Sequence, residues 1–205
     1  MLGLILGISV EKLKHQQSNK LILSIAKMRK IKTDLEIAEL EKAASATAAM
    51  HREAMWLLGS AAEMGKQLDE RDVMAAMSGV ALGRGYYHSF APIVTVHGEV
   101  FHNHGYQETL RKGQLLLMDA GCESLEHYAG DMTRTLPVGG KFSKRQKDIY
   151  DIVCSANEYV AKSARPGISW SDMHDRAARV IASGLKDLGL MRGDTDDIVQ
   201  KGAYA

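Results

Sequence analysis

Asp119 closes the run GQLLLMDAG, and Asp131 lies twelve positions on, inside HYAGDMTRTLPVGG. Leu115, Leu116, Leu117 and Met118, ahead of Asp119, show no polar alternation, so the sequence predicts a strand buried on both faces. An ionised carboxylate at the end of such a strand costs free energy unless something compensates it. Placed on neighbouring antiparallel strands joined through ESLE, the two carboxylates point to one face, where like charges repel. Two chemistries resolve the conflict: one aspartate stays protonated with a raised pKa, or a bound cation holds both ionised. A third reading needs no ligand and makes them exposed turn aspartates that cap a hairpin.

The elements around the pair follow from periodicity and punctuation. Thr33 and Glu36 form a capping-box pattern that starts a helix reaching about Leu58, with Ile37, Leu40 and Ala44 on one side. A second helix is predicted from Asp69 to Leu82, and Gly83 and Gly85 then break the pattern. Three β candidates succeed one another, PIVTVHGEV, GQLLLMDAG and HYAGDMTRTLPVG, and form an antiparallel meander. Ser143 and Gln146 repeat the capping signature ahead of Ile149, Ile152, Val153, Ala156 and Val160. ISWSDMHDRAARVIASGLKDLGLM predicts a further helix with Met173, Ala177, Val180, Ile181, Leu185 and Leu188 facing inward, and DTDDIVQKG a short one. Residues 1–26 read as a remnant or linker from a preceding amino-terminal domain, with MLGLILGISV as a strand, and residues 27–205 as the first part of the domain that follows. Helix, helix, strands, helix, helix is half of a repeated plan.

DAGCESLEHYAGDMTRTLPVGGKFSKRQKDIYDIV resembles the signature of the pita-bread metallopeptidases, in particular the Xaa-Pro aminopeptidase and Xaa-Pro dipeptidase branch. MRKIKTDLEIAELEKA is similar to the first helix of that family's catalytic domain, so the resemblance runs from about Met28 to the C-terminus. Methionine aminopeptidases share the fold but usually lack the Thr-Arg-Thr run. The resemblance implies an α+β pita-bread catalytic domain, incomplete in this chain, with an antiparallel sheet and covering helices. It also implies two divalent metal ions, manganese ahead of cobalt, zinc or iron, which activate a shared water against a peptide bond. Asp119 matches the first metal-ligand aspartate and Asp131 the second, which bridges both ions. His102, in VFHNHGY, matches the histidine that contacts substrate; His104 is a close rival, and the spacing back from Asp119 favours His102.

Thr133 shares a strand face with Asp131 and is expected to brace that carboxylate. Arg134 faces the other way, with a structural ion pair expected ahead of substrate contact. Tyr128 packs either beside the site or in the core, and His88, His97 and His127 read as surface or packing residues. The spacing of the aspartates is one residue longer than in many members, which a hairpin turn absorbs. The family's other ligands, one histidine and two glutamates, come from a second pair of strands. The sequence ends at KGAYA ahead of them, so these 205 residues alone are expected to be inactive.

Composition narrows the remaining classes. Of 205 residues 45% are hydrophobic, enough for a real core, and 26 Lys and Arg against 25 Asp and Glu give no electrostatic case for nucleic acid or an anionic membrane. Two cysteines, Cys122 and Cys154, are too few for a disulfide framework and point to the cytoplasm. The expected partners are a peptide with proline at its second position and, by family analogy, a second copy in a homodimer. Cleavage of Xaa-Pro dipeptides, a non-catalytic peptide-binding module on the same fold, and creatinase-like hydrolysis without metal are the competing functions.

Overall fold

The computed structural model describes Ser9 and residues 18–203, so the strand expected in MLGLILGISV lies outside the described residues. Helix α1, Asn19–Lys30, crosses the boundary expected between residues 26 and 27. Ser18 caps its start, and Lys27, Arg29 and Lys30 occupy its last turn, where cations oppose the negative end of the helix dipole. Helix α2, Asp34–Met64, begins at the expected capping box: the Glu36 carboxylate accepts from the Thr33 amide at 2.7 Å, and Thr33 Oγ1 accepts from the Glu36 amide at 3.3 Å. It passes Leu58 by almost two turns and stops at Gly65, whose φ of 63° is the left-handed conformation glycine adopts without strain.

The buried side of α2 is Ala43, Ala46, Thr47, Met50, His51, Ala54 and Ala61. Ile37 and Ala44, expected on that side, are exposed. In a segment this rich in alanine the few large side chains mislead, because small residues let the helix approach the sheet closely and carry the contact themselves.

Helix α3, Glu70–Gly83, follows as expected and buries Val73, Met77 and Ala81. The chain then forms β1 (Tyr87–His88), β2 (Ile93–Thr95), β3 (Leu115–Ala120), β4 (Cys122–Glu123) and β5 (Met132–Pro137). β2, β3 and β5 make the predicted antiparallel meander with β3 central, and β1 pairs with β4 in a separate two-stranded ribbon. Leu116, Met118 and Ala120 are fully buried, whereas Leu115, Leu117 and Asp119 are half-buried. The strand is therefore covered on one face, by α2, rather than on both as its sequence implies.

Helices α4 (Lys144–Ser163), α5 (Trp170–Asp187) and α6 (Thr195–Gln200) complete the order. Ser143 and Gln146 form the expected capping box on α4. α4 packs on α5 and α5 on α6, with Gly184 against Ile152 in a contact too close for any Cβ. Met173, Ala178 and Ala182 are the buried residues of α5; Leu188, expected inside, is exposed, as is Val153 of α4. The architecture is α+β with antiparallel sheets, as predicted.

Candidate active site

The two aspartates are set by β3, β5 and a close backbone crossing. Asp119 lies directly opposite Thr133 in the β3–β5 ladder, and the Thr133 hydroxyl donates to Asp119 Oδ1 at 2.7 Å. This corrects the role expected for Thr133: it braces Asp119, its cross-strand partner, not Asp131 two positions earlier, because opposed side chains are closer than those two positions apart along an extended chain. Asp131 immediately precedes β5, two positions before Thr133. Asp119 is half-buried, Asp131 is exposed, and no described residue bonds the Asp131 carboxylate.

Glycines bring the two segments together. Gly121 follows Asp119 by two positions and Gly130 directly precedes Asp131. The Gly130 amide donates to the Cys122 carbonyl at 2.7 Å, and Ser89 ties both sides, its amide to the Gly121 carbonyl at 3.0 Å and its hydroxyl to the Gly130 carbonyl at 2.7 Å. A Cβ on Gly121 would overlap the Gly130 carbonyl oxygen, and one on Gly130 would overlap Thr47 Oγ1 and stand 2.9 Å from the Ala43 carbonyl oxygen. Thr47, buried on α2, also accepts from the Cys122 amide at 2.9 Å. The glycines of the DAG and AGD segments thus serve backbone approach at the point where both carboxylates emerge.

The turn joining β4 to β5 closes with the Ser124 amide on the Tyr128 carbonyl at 2.9 Å, and the Tyr128 hydroxyl donates to Glu36 at the start of α2 at 3.0 Å. Tyr128 therefore packs against a helix cap. Bonds from Thr33, then the one from Tyr128, hold the Glu36 carboxyl below the usual carboxylate range, and the same contact raises the Tyr128 phenol.

Beneath Ala120 stands His51, which the sequence reading did not single out. Its Nε2 lies 3.3 Å from the Ala120 carbonyl oxygen, so that nitrogen carries the proton, and Nδ1 is buried without a partner. Burial pushes its pKa down, with the bond to Ala120 opposing. A polar residue one turn from Thr47 on a stripe of alanines was the available signal, hidden once that stripe was placed elsewhere.

His102 stands in the long loop after β2 with a φ of 56°, exposed, its imidazole without a partner among the described residues. Its neighbours are held: Asn103 donates to Thr95 Oγ1 at 3.1 Å, His104 Nδ1 lies 2.9 Å from the Pro92 carbonyl oxygen, and the Tyr106 hydroxyl donates to that same carbonyl. Pro92 precedes Ile93, which pairs with Asp119, so the loop folds back towards the Asp119 end of β3. Among the described residues no hydrogen bond or ion pair joins either histidine to an aspartate. His97 pairs with Glu99, His127 with Glu123, and His88 packs against Ser78. Arg134 donates to the Thr133 carbonyl and meets no carboxylate among the described residues, contrary to the expected ion pair.

Carboxylate oxygens are donors that hard divalent cations take, and Asp119 keeps Oδ2 clear of its bond to Thr133. In kind, the pair fits a metal; in number, it supplies part of a ligand set, since no group of three or more His, Cys, Asp or Glu gathers among the described residues.

Residues 38–199 match the model of metallopeptidase family M24. The chain is 31% identical over 194 residues to Xaa-Pro aminopeptidase 1 of Streptomyces coelicolor, covering 94% of this chain and 39% of that protein. To the Xaa-Pro aminopeptidase of Escherichia coli it is 32% identical over 187 residues, 88% of this chain and 40% of that one. Among solved structures, Zn-substituted E. coli Aminopeptidase P in complex with product superposes with a TM-score of 0.76 at 35% identity, over 86% of this chain and 39% of that one. The chain thus spans about two fifths of the length of these relatives. The pairing of β3, which carries Asp119, with β5, which starts directly after Asp131, and a family match over most of the sequence agree: this chain belongs to metallopeptidase family M24.

Proposed function

We propose that this protein is a metal-dependent aminopeptidase that releases the first residue from peptides whose second residue is proline. The reading rests on the in-register pairing of Asp119 with Thr133, which leaves one Asp119 oxygen clear of that bond, together with the exposed Asp131 carboxylate just ahead of β5, which no described residue bonds. Asp119 and Asp131 would hold two divalent ions, manganese first, together with ligands from outside the described residues. Divalent ions held this way lower the pKa of water and polarise a carbonyl. Thr133 fixes which Asp119 oxygen remains available. His102, with a free imidazole, would donate to the carbonyl oxygen of the scissile bond, a contact whose removal typically costs roughly 10²–10³-fold in kcat.

Proline gives a physical reason for a dedicated enzyme, because its tertiary amide lacks the N–H that other peptidases use to align a backbone. The names of the relatives, Xaa-Pro aminopeptidases, support this substrate class. The free thiols of Cys122 and Cys154 support a reducing cytoplasm. A homodimer rests on family analogy.

The test is release of the first residue from an Xaa-Pro-Xaa peptide by protein expressed from its natural reading frame. Activity should vanish on chelation, return with manganese, and be lost in D131A. Undiminished turnover in D131A removes Asp131 from the mechanism.

A further inference from the structure

We propose that Glu70 is a positioning residue: its buried carboxylate closes the neck of the loop of residues 96–108 and so fixes where His102 stands. The claim about His102 rests on the function proposed above; the claim about the loop does not. Glu70 is the first residue of α3, a position where acidic side chains ordinarily face solvent, yet it is 1% exposed. Its two oxygens are divided between the two ends of one loop. Oε1 accepts from the Val96 amide at 2.8 Å, and Oε2 accepts from the Glu108 amide at 3.2 Å.

Other bonds at the neck reach only one side. The Glu70 amide donates to the Glu108 carbonyl at 2.9 Å, the Leu110 amide to the Leu68 carbonyl at 2.9 Å, and the Thr109 hydroxyl to Asp69 at 2.8 Å. All of these fasten the returning end of the loop to the start of α3 and the two residues before it. The Glu70 carboxylate is the hydrogen-bonded link, among the described residues, between α3 and the departing end. From there the order passes inward through Thr95, buried, whose hydroxyl oxygen accepts from both the His97 amide and Asn103, the residue after His102. Holding both ends removes conformational freedom the loop would otherwise have, which is what a side chain needs if it is to meet a substrate in one place.

The chemistry of the pair of contacts sets the test. Glutamine at 70 keeps one acceptor oxygen but turns an NH₂ donor towards the other amide, and alanine removes both acceptors. In the 205-residue chain, amide exchange of E70Q should rise about tenfold or more at Val96 or Glu108, and of E70A at both. The ¹⁵N relaxation of His102 should show greater motion in each variant. Leu110, bonded to Leu68, and Leu116 and Met118 in β3 should keep their protection. Unchanged exchange at Val96 and Glu108 in E70A overturns the proposal. So does loss that spreads to Leu110 and β3, which would make Glu70 a support of the core.

In the peptidase assay, the E70A loss should be nearly absent in an H102A background, within about twofold, because residues acting through one another are not additive. Losses that multiply overturn the link to His102. An H102A variant with full activity sinks the proposed role of His102 instead, and the exchange result still decides whether Glu70 clamps the loop.

Discussion

One hydroxyl, Thr133, decides how Asp119 is presented, and one imidazole, His51, supports the strand end from below. The Ala120 carbonyl can only accept, so His51 is the neutral tautomer with its proton on Nε2 and a bare, buried Nδ1. Protonation would put a charge and an unpaired donor into the core. With its folded pKa depressed below the unfolded value of about 6.5, His51 binds protons more readily in the unfolded chain. The stability it contributes is present above that value and lost as pH falls through the folded pKa. His88, also depressed by burial, acts in the same direction. Thermal unfolding should therefore show a midpoint that declines from pH 7 to pH 5, and H51Q should flatten the decline. An unchanged slope in H51Q would mean that other groups set the acid sensitivity. At this scale the sequence supplied Asp119 and Asp131 because apolar runs frame them; it did not supply His51, since nothing local distinguishes a histidine under a strand from one in solvent.

The elements meet at glycines, but not every glycine is alike. Gly130 sits where α2 crosses the β4–β5 connection, with Thr47 and the Ala43 carbonyl against it, whereas Gly79, in the middle of α3, has nothing within 4 Å of a Cβ. G130A must push α2 away from the strand, and overpacking of this kind typically costs about 1–3 kcal/mol. G79A replaces the residue with the largest backbone entropy in an open helical position and should stabilise by roughly 0.5–1 kcal/mol. Chemical denaturation of the two variants checks both signs; a neutral G130A would show that the crossing is loose. The capping boxes at Thr33 and Ser143 were legible because each is a local pattern whose partners lie three residues apart. The inward side of α2 was not, because among alanines the side that packs is chosen by the surface it meets.

Across the whole molecule the large buried side chains, Met50, Met77, Leu116, Met118, Val73 and Val94, lie between α2, α3 and the sheet. The layer of α4, α5 and α6 buries Ala156, Met173, Ala178, Ala182 and Ile198, mostly small residues, and makes its main contacts within itself. Burial of an alanine removes far less apolar surface from water than burial of a methionine or leucine. Native-state hydrogen exchange should accordingly find α4–α6 opening at lower free energy than β3 and the buried half of α2. Uniform protection across both layers would contradict this. The bond from the Gln146 side chain to the Gly113 carbonyl, 2.8 Å, is one tether between them.

By itself the sequence determined the order of the helices from Thr33 onward, the antiparallel meander and the two aspartates, because periodicity, capping and turn residues act over a few positions along the chain; it did not supply α1 or the β1–β4 ribbon. It also carried the family, through the DAG and GDMTRT segments. The tertiary structure decided that Thr133 serves Asp119, that one face of β3 is closed and the other half open, that Gly121 and Gly130 must lack side chains, and that Glu70 spans the neck of the His102 loop. Each of these depends on partners from about ten to nearly ninety positions away, brought together by packing, which a local pattern does not encode.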